Sequence, residues 1–169
     1  MLLSSGQEVL DQISIPFGIR TISFSAKEGF KLNDLSLKLK GGCVHHDNGL
    51  LGAASLDRAE MRKIELLKAN GYNAVRCAHN PPAEAFLRAC DEQGMLVIDE
   101  AFDHWQKEKH PQDYHRFYDE RNEKDISAKV LRDLNHPSVF MRRNGNEIQE
   151  RSDDAGVEIA ERLRNLVKK

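Results

Sequence analysis

The hydrophobic positions of this chain follow one pattern used four times: a short apolar run, a few polar residues, then a stretch of helical period. The runs are Leu35–Cys43, Asn73–Cys77, Met95–Ile98 and Ser138–Met141. The helical stretches are about Leu56–Asn70, Ala83–Gln93, Phe117–Leu134 and Asp154–Val167, each with an apolar stripe to bury. Their ends are marked. Asn70-Gly71 stops the first helix, Pro81-Pro82 opens the second and Gly94 closes it, and Asp153 or Asp154 caps the fourth. Strand alternating with helix predicts parallel strands joined by right-handed crossovers, in the order 1-2-3-4. The expected fold class is α/β.

Residues 1–36 stand outside that repeat, and the α/β unit is expected over 37–169. Ile19–Phe24 and Phe30–Leu32 read as short strands about the turn 26–29, and Asn33-Asp34 turns the chain into Leu35–Lys40. This predicts an antiparallel hairpin ahead of the α/β unit. Residues 1–16 have weak periodicity and are set apart by Pro16, as a tail or a strand of another domain would be.

Composition narrows the function classes. The chain has 169 residues, with 25 Lys+Arg against 27 Asp+Glu and a net charge of -2. That balance gives no electrostatic footprint for nucleic acid or for an anionic membrane surface. No apolar stretch reaches the roughly 20 residues of a spanning helix. The opening MLLSSGQEVLDQ lacks the basic segment and apolar run of a signal peptide. Three cysteines, Cys43, Cys77 and Cys90, form neither a metal-like pair nor an even disulfide framework.

Candidate chemistry lies just after the strands. The first is followed by His45-His46-Asp47-Asn48, the second by Arg76, His79 and Asn80. The third leads into Asp99-Glu100 with Asp103, His104 and Trp105, and the fourth into Asn144-Gly145-Asn146-Glu147. In parallel α/β structures the C-terminal strand ends share one side, where substrates bind. No glycine-rich phosphate loop follows any strand, which disfavours nucleotide cofactors. His45, His46, Asp47 and His79 match no zinc spacing, and adjacent strand residues face opposite ways, so no metal and no cofactor is expected. Trp105 suits either stacking on a sugar ring or covering the end of the sheet.

As a set, Lys38-Leu39-Lys40-Gly41, His45-His46-Asp47, Asn73-Ala74-Val75-Arg76, His79-Asn80-Pro81, Val97-Ile98-Asp99-Glu100-Ala101, Arg132-Asp133, Asn135-His136-Pro137-Ser138-Val139 and Gly145-Asn146-Glu147 resemble glycoside hydrolase family 2. That is the β-galactosidase and β-glucuronidase family. The likeness runs from about Phe17 to Ile148 in family order. It implies half of a (β/α)8 barrel, with residues 1–36 holding at most the last strand of a missing β-sandwich. It further implies that Glu147 is the general acid/base and that Asn146 binds the sugar 2-hydroxyl. Arg76 would support the nucleophile carboxylate, and Asp47 and His79 would touch sugar hydroxyls. The partner implied is a β-galactoside-like carbohydrate. The family's nucleophile, a glutamate on the seventh strand, lies beyond about four βα units, so the chain alone is expected to be inactive. Where the family has Trp-Ser-Ile or Trp-Ser-Leu before Gly-Asn-Glu, this chain has Arg142-Arg143-Asn144, which predicts a fourth strand meeting water or a polar partner. The alternative is a non-catalytic half-barrel, engineered or decayed, that forms a homodimer or joins the remaining half through its open edges.

Overall fold

The structure is a computed structural model describing residues 2–6 and 8–168; Met1, Gln7 and Lys169, which fall within the expected units 1–36 and 37–169, lie outside the described residues. Strands β1 (Leu2–Ser5) and β2 (Glu8–Gln12) pair antiparallel. A second antiparallel sheet joins β3 (Ile22–Ser25), β4 (Gly29–Leu32) and β5 (Leu35–Ser36). The main sheet is parallel, in the order β6 (Gly41–Val44), β7 (Ala74–Cys77), β8 (Leu96–Glu100) and β9 (Val139–Arg143). Helices α1 (Asp57–Ala69), α2 (Glu84–Gln93), α3 (His115–Arg132) and α4 (Asp154–Val167) follow its strands in turn. The strand order and parallel sense are those the repeat predicts.

Local chemistry sets the boundaries. Gly71 at φ 82° and Gly94 at φ 65° take the left-handed conformation that ends α1 and α2, which glycine adopts without a Cβ penalty. The Asp153 side chain accepts a hydrogen bond from Gly156 N at 3.1 Å and caps α4. Asn33 and Asp34, both at positive φ, form the tight turn between β4 and β5. One expected element divides. The run Leu35–Cys43 is two strands, because Leu35–Ser36 pairs with β4 while Gly41–Val44 pairs with β7. A Cβ at Gly41 would stand 2.5 Å from Ala74 O, so glycine permits the approach that starts β6. The opening segment also differs from its weak pattern, since Leu2–Ser5 and Glu8–Gln12 pair as antiparallel strands, with Gly6 at φ 63° after the first.

Period-two alternation gives the main sheet two unlike faces. Val75, Cys77, Val97 and Val139 pack against Ile64, Phe86, Leu87 and Cys90 of the helices. Each such fully buried side chain contributes about 1.5–3 kcal/mol of apolar transfer. On the inner face, Ala74, Leu96, Ile98 and Phe140 are covered by Phe30, Ile22, Leu32 and Leu37. The hairpin therefore closes the N-terminal half of the inner face, leaving its C-terminal half to Arg76, Glu100 and Arg143. Among the described residues no helix is long and apolar enough to cross a membrane.

Candidate functional site

Register brings the polar residues of the inner face together. Arg76 stands opposite Ile98, and Glu100, two residues on, stands opposite Arg143. The Glu100 side chain is fully buried, so its charge needs close partners. Arg76 Nη2 donates to its two oxygens at 2.7 and 3.0 Å, and Arg143 Nε lies 3.1 Å from Oε1. His79 Nδ1 is 3.5 Å from Glu100 Oε2 and 3.3 Å from Arg76 Nη2. Burial acts to lower the Arg76 pKa, but the hydrogen bond and charge of Glu100 outweigh it and the value rises.

The same Arg76 nitrogen donates to Asn146 Oδ1 at 2.7 Å, linking this cluster to the turn after β9. Asn146 is buried, and its other contacts fix it: Nδ2 donates to Asp103 Oδ1 at 3.0 Å and its backbone N donates to Phe102 O at 3.0 Å. Glu147 follows at φ 47°, a left-handed conformation that costs a non-glycine residue roughly 1–2 kcal/mol. Its side chain is exposed and, among the described residues, has no hydrogen-bond or ion-pair partner. Gly145 lets this turn close, since a Cβ there would stand 2.6 Å from Ile148 Cδ1 and 2.9 Å from Trp105 Nε1. Burial works against ionisation of Asp103, yet hydrogen bonds from Asn146 and Lys109 hold its carboxyl below the ordinary value.

The five sequence-predicted site residues thus all lie at or follow C-terminal strand ends of the parallel sheet, and Arg76 contacts both His79 and Asn146, with Glu147 next in the chain. Asp47 follows β6 but is exposed, and among the described residues its side chain joins none of these contacts. Its neighbour His45 does approach, its ring edge-on to that of His79 with centroids 5.3 Å apart. Glu100 is the hub of the cluster, a role the polar pattern alone did not assign. Arg142 and Arg143 find polar partners within the chain, Asp133 O at 3.4 Å and Glu100 at 3.1 Å, and Arg143 stays 44% exposed, in line with the expectation of a strand end meeting water or a polar partner. Trp105 is buried and donates to Asn144 O at 2.9 Å, so it covers the sheet end. Cys77 and Cys90 are buried with their thiol pKa values pushed far up by burial, whereas Cys43 is exposed. Among the described residues no group of three or more His, Cys, Asp or Glu is placed to hold a metal.

The sequence model described as "Glycosyl hydrolases family 2, TIM barrel domain" matches residues 25–168. A β-galactosidase of Bacteroides ovatus is 49% identical over 149 residues, covering 88% of this chain and 18% of that protein. A putative β-glucuronidase of Formosa agariphila is 41% identical over 143 residues, covering 84% of this chain and 14% of that protein. The crystal structure of a glycosyl hydrolase family 2 member from Bacteroides cellulosilyticus superposes with a TM-score of 0.94 at 53% identity, over 99% of this chain and 22% of its own. The chain spans about a fifth or less of the length of these relatives.

Proposed function

The chain belongs to glycoside hydrolase family 2, as an α/β portion of its TIM barrel, and from that premise we propose that it supplies the acid/base half of a retaining β-glycosidase site for a β-galactoside-like carbohydrate. The observation that carries this reading is the Asn146-Glu147 turn. Asn146 is locked by Arg76, Asp103 and Phe102, while the next residue presents an exposed carboxyl group that has no partner among the described residues. In this reading Glu147 protonates the departing glycosidic oxygen and then takes a proton from the incoming water. Asn146 binds the sugar 2-hydroxyl, and His79 and Asp47 contact other hydroxyls. Arg76 supports the nucleophile carboxylate through the guanidinium that also holds Glu100.

Retention requires a second carboxylate about 5–5.5 Å from the acid/base. Glu100 is the neighbouring candidate on this chain, and its burial between Arg76 and Arg143 argues against that role. The 169 residues assayed by themselves are therefore inactive in this proposal. The test grafts them in place of the matching segment of the Bacteroides ovatus β-galactosidase and assays a nitrophenyl β-galactoside. Activity that is lost in Glu147→Gln supports the assignment; a graft whose Glu147→Gln form keeps its rate refutes it. Turnover by the isolated 169 residues would refute the inactivity.

A second reading, a half-barrel that associates with another copy or with the remaining half, is favoured by the open rim. Strands β6 and β9 are the edges of the parallel sheet, and in the antiparallel segment before it Ile19, Phe24 and Leu35 are 89%, 54% and 74% exposed. Sedimentation at two salt concentrations decides it: a monomer throughout removes this reading.

A further inference from the structure

The loop between β8 and α3 grips the Glu147 turn along its length. Trp105 Nε1 donates to Asn144 O at 2.9 Å, and Phe102 O accepts from Asn146 N at 3.0 Å. Lys107 N donates to Glu150 Oε1 at 2.7 Å, and Lys107 Nζ pairs with Asp153 Oδ2 at 2.7 Å. Lys109 makes the central contact. Its ammonium reaches Asp103 O at 2.7 Å, Asp103 Oδ1 at 3.1 Å and Asn146 O at 3.1 Å. Those three acceptors match the three donors of an ammonium group, which fixes the side chain. Its root is fixed too, because Lys109 N and His110 N both donate to Asp113 Oδ2, at 2.9 and 2.8 Å.

Asn146 O belongs to the peptide whose nitrogen is that of Glu147. We propose that Lys109 is a positioning residue for Glu147, its ammonium holding the Asn146–Glu147 peptide so that the Glu147 carboxyl is aimed at the leaving-group oxygen. The inference rests on the acid/base reading above. No other side chain bonds that carbonyl among the described residues, and Glu147 sits at φ 47°, which its own backbone disfavours. Released from Lys109, the turn would relax and move the carboxyl. A displacement near 1 Å costs proton transfer on the order of 100-fold.

The test uses the Bacteroides ovatus graft, Lys109→Met and two substrates. Methyl β-galactoside needs its leaving group protonated, and 2,4-dinitrophenyl β-galactoside does not. The expected result is a fall in kcat/KM of roughly 10- to 100-fold on the first and much less on the second, with partial recovery in Lys109→Arg. Equal losses on both substrates, or no loss, would overturn the proposal. Glu147→Gln is measured alongside. If it leaves methyl β-galactoside turnover intact, the acid/base reading itself fails; if it abolishes turnover while Lys109→Met does not, only the Lys109 inference fails. Nuclear magnetic resonance of the 169-residue chain is the second readout. Lys109→Met should shift the Asn146 and Glu147 amides and speed their hydrogen exchange, with β8 and β9 unchanged. Unmoved Glu147 signals would overturn the proposal even if the graft fails to fold.

Discussion

Replacing Glu100 by glutamine keeps the shape of the side chain and removes its charge, leaving two guanidiniums facing an amide. Glu100 is fully buried, while the side chains of Arg76 and Arg143 are 20% and 44% exposed. Removing one partner of a buried pair costs about 3–5 kcal/mol. Water can partly solvate both arginines, which places Glu100→Gln near the lower end, about 3 kcal/mol. Arg143→Met should cost far less, about 0.2–1 kcal/mol, because its end of the pair is exposed and Glu100 keeps its Arg76 bonds. Arg76→Met should resemble Glu100→Gln, since it strips two hydrogen bonds from Glu100 and one from Asn146. Urea unfolding of the 169-residue chain, followed by the fluorescence of Trp105, reads these differences. With a slope of about 2 kcal/mol/M, Glu100→Gln should lower the midpoint by roughly 1.5 M and Arg143→Met by less than about 0.5 M. Equal shifts for the two variants would refute the division of labour. A shift below about 0.5 M for Glu100→Gln would refute the claim that its carboxylate is a buried ion held by Arg76.

The pair on the opposite face offers a contrasting case. Lys129 Nζ lies 2.8 Å from Asp99 Oδ2, with side chains 4% and 0% exposed, and burial raises the Asp99 pKa against the pull of Lys129. Lys129→Met should destabilise by about 3–5 kcal/mol, and Lys129→Met with Asp99→Leu should recover most of it; equal instability of single and double variants would place the loss in packing. Asp113 predicts a pH effect. Burial opposes its ionisation, but hydrogen bonds from His110, His115 and Lys109 outweigh this and hold it well below the ordinary carboxylate value. A depressed folded-state pKa stabilises fully above the unfolded value of about 3.9, and the contribution fades as pH falls toward the folded value. Asp113→Asn should therefore flatten the acid limb of the stability–pH curve, and a limb parallel to that of the unaltered chain would contradict it.

The strand-helix repeat was legible because each signal is local. Buried strands read as apolar runs, and Gly71, Gly94 and Asp153 end or begin helices through their own backbone or side-chain chemistry. Leu35–Cys43 was not, because whether a residue pairs with β4 or β7 depends on the whole fold. The site divides the same way. Arg76, His79, Asn146 and Glu147 follow strand ends and carry the family likeness, so position and resemblance agree on them. Lys109 carries no such signal; it sits in a loop, and its acceptors are set by tertiary contacts. The Glu100 pairing shows most plainly why. Val97 stands opposite Val139, and an unbroken register would then put Glu100 opposite Arg142. A one-residue irregularity between Val97 and Ile98 moves the pairing to Ile98 with Met141, so that Glu100 meets Arg143 and Asp99 meets Arg142. A one-residue slip exchanges the faces of a strand, so this irregularity determines which arginine enters the inner cluster and which turns toward Asp133. Arg142 and Arg143 are chemically identical in sequence; the bulge alone distinguishes the residue that holds the Glu100 carboxylate from the one that does not.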